Sequence, residues 1–368
     1  MVERTYNMDN LQGIKYGKDG EYDTVPIIIP TLCRYEHFVR CIESLKENKY
    51  AQHTDIYIGI DYPITEEQRE GHDKIVKYVS KISGFRKVII IYRDYNLGPS
   101  RNSAQLIRRL EDDGYKRFIF TEDDNEFSPN FLEYINVTMN YYENDDSIVA
   151  VSGYNYPILE GLKGDIYLSN MYFSAFGYGT WIERQREMDM ACNAVKFDEY
   201  YYDRRRMRAL YSKSKNQFCN FVKGYTGYTN DMLGNNEVLS VDLSHGLHMF
   251  FAGKKMVFPL KSKVRNWGYD GSGVHCEKCN SDNVECANHR KYDYSKQKID
   301  IKDTFDISKA KVCTNDKQIK ELYDSFFTNS LREKMLSRLI YEISIIIGIP
   351  MTRRIIAKLK LFILSDNK

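Results

Sequence analysis

The sequence predicts an α/β protein built on a mostly parallel sheet. Two observations predict it: from Val25 onward, apolar runs of strand length alternate with helix-patterned segments, and each run ends in polar residues. A third is bulk composition. The 368 residues are 42% hydrophobic and 28% charged, enough for about two domains of roughly 150 residues with a sizeable core. Disordered, collagen-like and coiled-coil readings are excluded. Lys plus Arg number 53 and Asp plus Glu 51, a formal charge of +2, so bulk charge gives no support to a nucleic-acid partner.

The first strand is VPIIIPTL from Val25, a continuous apolar run that suits burial on both faces. The helix CRYEHFVRCIESLKEN follows, with Phe38, Cys41, Ile42 and Leu45 on one stripe. A second strand spans Asp55 to Ile60 and ends in Asp61-Tyr62-Pro63. The segment ITEEQREGHDKIVKYVSKI carries helix start signals, and KVIIIYRD reads as the third strand. After Asn96-Leu97-Gly98-Pro99-Ser100 a helix is expected from about Arg101 to Glu111. The fourth strand, RFIFTEDD, stops in three consecutive acids, and SIVAVS (Ser147 to Ser152) is the fifth. Beyond it the alternation fades, and residues from about Tyr154 to His289 read as loop-rich.

In an open α/β sheet, ligands bind outside the carboxyl ends of the strands. This chain gathers Thr31, Arg34, Asp61, Asn96, Glu122, Asp123 and Asp124 there. Hard cations such as Mg²⁺ or Mn²⁺ take one or two carboxylates together with phosphate oxygens, so an acidic strand end suits a metal–diphosphate site. The alternative is an acidic loop leading into a helix capped by Ser128-Pro129-Asn130-Phe131.

The ordered series IIIPTLCRYEHFVRCIESL, DIYIGIDYP, NLGPSRNSAQLI, FIFTEDDNEFSPNFLEYI and SIVAVSGYN resembles the nucleotide-binding half of the N-acetylglucosaminyltransferase I family and its bacterial relatives. The resemblance implies a GT-A fold, Rossmann-like, with a mostly parallel sheet flanked by helices, to which the residue pattern adds a loop-rich acceptor region and a C-terminal helical tail. It implies a metal-dependent, inverting glycosyltransferase using a UDP-sugar. By the same resemblance Asp124 is the direct Mn²⁺ or Mg²⁺ ligand, while Glu122 and Asp123 face ribose and sugar. Asp61 accepts a hydrogen bond from uracil, and Thr31, Arg34 and Arg101 line the donor. Where the family often has a histidine before the third helix, this chain has Pro99 and Ser100.

The segment YFSAFGYGTWIERQ resembles the family's aromatic-Gly-Trp stretch, which makes Tyr178, Gly179 and Trp181 site-lining residues; the alternative for Trp181 is a core position. An inverting transfer needs a carboxylate base near the acceptor hydroxyl, and the resemblance implies that it lies between that stretch and a later Gly-rich segment. Asp242 comes first, with Glu237 and Asp231 in reserve. A helix N-cap is the competing role for Asp242. GYDGSGVH resembles a closing loop, with Gly268, Gly271 and Gly273 as hinges, Tyr269 near sugar and His275 reaching the donor metal.

Cys276, Cys279, Cys286 and His289 have the spacing of a structural Zn²⁺ site; incidental thiols in a reduced lid are the alternative. The polar N-terminal stretch lacks the features of a signal peptide, and the reading is a cytoplasmic protein. No run reaches the roughly 18 apolar residues of a membrane span. Residues 331–368 nevertheless carry eight Lys or Arg against three Asp or Glu, a net of +5, interleaved with apolar residues at helical spacing. That pattern fits an anionic membrane surface at the inner face of the cell membrane, or packing onto the catalytic domain or a partner subunit. The expected segments are a polar extension (1–24), a nucleotide-sugar half (25–155), an acceptor half (156–316) and a helical tail (317–368). The acceptor is a saccharide or lipid-linked saccharide in surface-glycan assembly. Competing readings are a nucleotidyltransferase, disfavoured because PTLCRYEHF lacks a phosphate-loop glycine, and an inactive zinc-containing scaffold at the membrane.

Overall fold

The computed structural model describes residues 23–156, 162–227, 239–270, 272, 297–326 and 329–365. The chain forms two compact units that interleave along the sequence. The first contains residues 1–169, 174–185 and 256–314; the second contains 170–173, 186–255 and 315–368. The expected segments were serial, whereas the chain passes from one unit to the other several times.

The first unit opens with the alternation read from the sequence. It comprises β1 (Ile27–Thr31), α1 (Tyr35–Lys46), β2 (Asp55–Ile60), α2 (Glu66–Val79), β3 (Lys87–Tyr92), α3 (Gly98–Asp112) and β4 (Arg117–Phe120). The four strands are parallel, in the order β3-β2-β1-β4. Every residue of β1 and β2 is buried, as expected of central strands covered on both faces. On α1, Phe38, Cys41, Ile42 and Leu45 are buried, the stripe that periodicity predicts.

Helix α3 starts at Gly98, three residues before the expected Arg101. Its first amides are satisfied from another strand. The Asp61 carboxylate accepts from the N–H groups of Leu97 and Gly98, both at 2.8 Å, so the cap is tertiary and local sequence cannot reveal it.

Then come β5 (Asn125–Phe127), α4 (Phe131–Tyr141), β6 (Ile148–Ser152), β7 (Ile166–Ser169), β8 (Tyr178–Trp181), β9 (Lys255–Pro259) and β10 (Val264–Asn266). The sheet extends to eight strands as β3-β2-β1-β4-β8-β6-β9-β7, with β8 antiparallel to both β4 and β6. Strands β5 and β10 form a separate antiparallel ribbon. The stretch expected to be loop-rich therefore supplies three strands of the main sheet.

The second unit is helical. It holds most of α5 (Ile182–Ala191), then α6 (Ala194–Tyr202), α7 (Arg204–Lys213), α8 (Lys215–Thr226), α9 (Val241–Ala252), α10 (Asp316–Phe326), α11 (Leu331–Ile347) and α12 (Ile349–Ser365). Side-chain oxygens of Asn193, Asp203, Ser214 and Ser330 cap four of these helices. Much of the core is aromatic. Phe197, Tyr201, Phe221, Tyr225 and Tyr341 are buried together, with Tyr201 and Tyr341 ring centroids 5.2 Å apart. Here the tyrosine-rich composition finds a structural use, since burying the rings supplies the unit's cohesion.

Candidate active site

Because β1, β2 and β4 are parallel, their carboxyl ends open at one edge of the sheet. Thr31 ends β1 and pairs with Ile60, and the Asp61 N–H donates to the Thr31 carbonyl at 2.9 Å. Glu122, Asp123 and Asp124 follow β4 and cross toward that point. Asp123 accepts a 2.7 Å hydrogen bond from the Thr31 hydroxyl. The Arg34 guanidinium forks between the two aspartates, reaching Asp124 Oδ2 at 2.7 Å and pairing with Asp123 through its other nitrogen. Thr31, Asp123 and Asp124 are all buried.

Burial opposes the charge on Arg34, but Asp123, Asp124 and Glu122 outweigh it and raise its pKa, so the guanidinium stays ionised. The loop that carries Arg34 is backed by α2. A Cβ on Gly71 would lie 1.9 Å from the Cys33 carbonyl oxygen, so the helix reaches the loop only because residue 71 has none.

Ribbon β5–β10 completes the site, and the sequence did not reveal it. Asn125–Phe127 pairs with Val264–Asn266, which brings the Asn266 amide to Asp124 Oδ1 at 2.8 Å and to Asn125 Oδ1 at 3.0 Å. The Trp267 N–H donates to the Asp124 carbonyl at 2.9 Å, and its indole N–H donates to Glu126 at 2.7 Å. Arg40 lies over the indole ring, 4.2 Å from its centroid. His37 meets Asp270 at 2.9 Å. Gly268, expected to be a lid hinge, is buried against the acid pair: a Cβ there would sit 2.1 Å from Asp124 Oδ2. A motif read as flexible is thus pinned at its start by strand pairing. The one legible trace was the placement of RNWGYDG after an apolar strand.

Other expected residues have partners of their own. Asp61 is buried, and its oxygens face the backbone N–H groups of Tyr62, Leu97 and Gly98, so it organises the loop before α3. Arg101 is exposed on the first turn of α3. Tyr178 is a core residue, its ring 5.5 Å from Phe120 and its hydroxyl 3.2 Å from Gln185 Oε1. Trp181 opposes Arg117 at the start of β4, about 17 Å along the strand from Glu122, with the Arg184 guanidinium 3.7 Å from its ring centroid. Because β8 runs against β4, Tyr178 pairs with Phe120 at the acidic end of β4 but is buried there, whereas Trp181 lies at the far end of the pairing. Gly179 faces Ile135 and Met139 of α4.

Asp242 is half-buried in the first turn of α9, in the second unit; the residue at the cap position is Ser240. Asp231, Glu237, Gly271, Gly273, His275, Cys276, Cys279, Cys286 and His289 lie outside the described residues, and so does the side chain of Tyr269.

Among the described residues two adjacent buried carboxylates share one guanidinium; burial pushes the Asp123 carboxyl up, against Arg34 and with Asp124, so ionising both acids calls for a second positive charge. Among the described residues no group of three or more His, Cys, Asp or Glu forms a metal cage. A carboxylate pair supplies one or two of the ligands that a hard divalent cation takes, so the acids fit such an ion with water and phosphate oxygens as its other ligands.

Close to β10, a cavity of about 630 Å³ is lined by Asn155, Tyr156, Lys263, Gln297 and Asp300, among others. Lys263 and Asp300 form a buried ion pair there, and Asn130 donates to Asp300 at 3.2 Å. Burial raises the Asp300 carboxyl, but Lys263, Asn130 and the Lys302 N–H more than cancel it and hold the group below its ordinary value.

Comparison with known proteins identifies the family. A family model described as Glycosyl transferase family 2 matches residues 27–217, just over half of the chain, from the start of β1 into α8. No curated protein matches. Among solved structures, one match is a mannosyltransferase, PcManGT from Pyrobaculum calidifontis, in complex with GDP-Man and Mn²⁺. Identity is 12% over 45% of each chain, with a TM-score of 0.31. S. aureus TarS matches at 9% identity, over 45% of this chain and 30% of that one, TM-score 0.32. HddC from Yersinia pseudotuberculosis matches at 13% identity, over 43% of this chain and 77% of that one, TM-score 0.26. The chain thus spans less than half the length of the first two structures. On the family match, with a mostly parallel sheet and acids at its carboxyl edge, the chain belongs to glycosyl transferase family 2 and has a GT-A fold.

Proposed function

We propose that this chain is a metal-dependent, inverting glycosyltransferase that moves a sugar from a UDP-sugar to a saccharide or lipid-linked saccharide in bacterial surface-glycan assembly. The observation that carries the metal and diphosphate part is the buried Asp123–Asp124 pair, held by Thr31, Arg34 and Asn266 and calling for a second positive charge when both acids ionise. Kinship to N-acetylglucosaminyltransferase I belongs to the same proposal.

Asp124, with Asp123 beside it, would hold Mn²⁺ or Mg²⁺, which when bound neutralises the diphosphate leaving group. Arg34 adds a second, permanent positive charge at that place. Asn266 and the Trp267 N–H fix Asp124 from the far side, so the carboxylate is oriented before the donor arrives. Asp242 is the proposed general base: it takes the proton of the acceptor hydroxyl as that oxygen bonds to the anomeric carbon and the bond to diphosphate breaks.

The test is a panel of UDP- and GDP-sugars with Mn²⁺, read by nucleotide release and by thermal protection. Binding of a UDP-sugar that requires Mn²⁺ and is lost in Asp124→Asn supports the proposal, and Asp242→Asn should then keep binding while losing transfer. If no UDP-sugar binds, the donor assignment is overturned. We further propose that the enzyme works as a peripheral protein at an anionic membrane surface, a reading supported by the net charge of +5 in residues 331–368.

A further inference from the structure

Helix α11 is apolar on two opposite faces. Its inner face, with Ser337, Ile340, Tyr341 and Ser344, is buried in the second unit. The Ser337 hydroxyl lies 3.0 Å from Cys219 Sγ, and the Ser344 hydroxyl 2.8 Å from the Tyr201 hydroxyl. At about 100° per residue, Leu331, Met335, Leu339, Ile343 and Ile346 fall on the other side. They are exposed: Leu331 by 75%, Met335 by 66%, Leu339 by 56% and Ile346 by 78%. Met351 and Ile355 of α12 are exposed as well. A helix in water carries polar residues opposite its core stripe, and this one carries a second apolar stripe.

Charge identifies the occupant. Residues 331–358 hold six Lys or Arg against Glu333 and Glu342, a net of +4. Both glutamates already have cationic neighbours, Glu333 in Lys223 and Glu342 in Arg204. Arg332, Arg338, Arg354 and Lys358 are exposed. A symmetric contact with a second copy would set +4 against +4, whereas an anionic lipid surface attracts each of these cations and accepts the apolar side chains between them. Long basic side chains can reach headgroup phosphates while their stems stay with apolar neighbours.

We propose that the outer face of α11, flanked by the basic residues of α12, docks on an anionic phospholipid bilayer, Leu331, Met335, Leu339, Ile343 and Ile346 entering the interface. This deepens the peripheral-membrane reading given above and rests on it; it does not depend on the sugar chemistry.

The experiment is co-sedimentation of the full chain with vesicles of phosphatidylcholine alone or mixed with phosphatidylglycerol. The expected result is binding to the mixed vesicles that weakens with salt, at least about tenfold over phosphatidylcholine. The double variant Leu339→Ser/Ile346→Ser should lose that binding about tenfold or more. Arg354→Glu/Lys358→Glu should lose it on anionic vesicles only. Both should retain the parent's thermal melting and its nucleotide release in solution, since these side chains face outward. The proposal is overturned if the parent ignores phosphatidylglycerol vesicles or if the serine variant binds like the parent. It is equally overturned if the parent is a dimer that the serine variant dissociates without any change in lipid binding. Failure of the glycosyltransferase chemistry would appear separately, as absence of nucleotide release with and without vesicles.

Discussion

Replacing Gly268 by Ala tests the site more sharply than removing an acid, because it leaves every polar group present. The backbone at Gly268 is outside the left-handed region, so alanine itself introduces no strain there. The added methyl would stand 2.1 Å from Asp124 Oδ2, 3.0 Å from its Cγ and 3.2 Å from Asn266 Oδ1. Carbon and oxygen in contact keep about 3.3 Å, so the carboxylate must move by about 1.2 Å. It cannot do so alone: turning it away breaks the 2.7 Å bond from Arg34 and the 2.8 Å bond from Asn266. A misplacement of about 1 Å at a reacting centre costs on the order of 100-fold in rate. The expected outcome is a fall in kcat/KM of about 100-fold with a raised Mn²⁺ requirement. Breaking those two buried bonds should also lower Tm, at about 2–4 °C per kcal/mol for a unit of this size. The assay is nucleotide release from the donor at increasing Mn²⁺ concentration, beside a thermal melt. Parent-like turnover with unchanged Mn²⁺ dependence would refute the claim that Asp124 must be held in place.

Two further predictions concern buried carboxylates. Asp61→Ala frees the N–H groups of Tyr62, Leu97 and Gly98 and should lower stability by about 2–4 kcal/mol in chemical denaturation; a raised donor KM at unchanged stability would show instead that Asp61 acts only on the nucleotide. Asp300→Asn strands the Lys263 ammonium and should cost about 3–5 kcal/mol. Because the folded pKa of Asp300 is depressed, its stabilisation is present above the unfolded value of about 3.9 and fades as pH falls through the folded one. The variant's acid limb should therefore be flatter than the parent's, and parallel limbs would contradict the pairing.

The parallel strands were legible because a strand covered on both faces needs an unbroken apolar run, and VPIIIPTL and DIYIGI are such runs. The acidic edge was legible for a related reason, since the ends of parallel strands share one side of the sheet wherever the helices run. Strand β8 escaped notice: YGTW is too short to alternate, and its place depends on pairing with β4 and β6. Its position decides that Tyr178 and Trp181 belong to the interior.

The sequence by itself thus determined the sheet's parallel half and the convergence of Thr31, Arg34, Asp123 and Asp124, through local patterns that strand geometry turns into position. Only the tertiary structure decided that Asp61 caps α3, that Asn266 and Gly268 close on Asp124, and that α11 presents a second apolar face. The physical reason is the same in each case. These roles rest on contacts between residues from 36 positions apart in the α3 cap to 144 between Gly268 and Asp124, and no periodicity along the chain encodes which distant backbone or side chain will arrive.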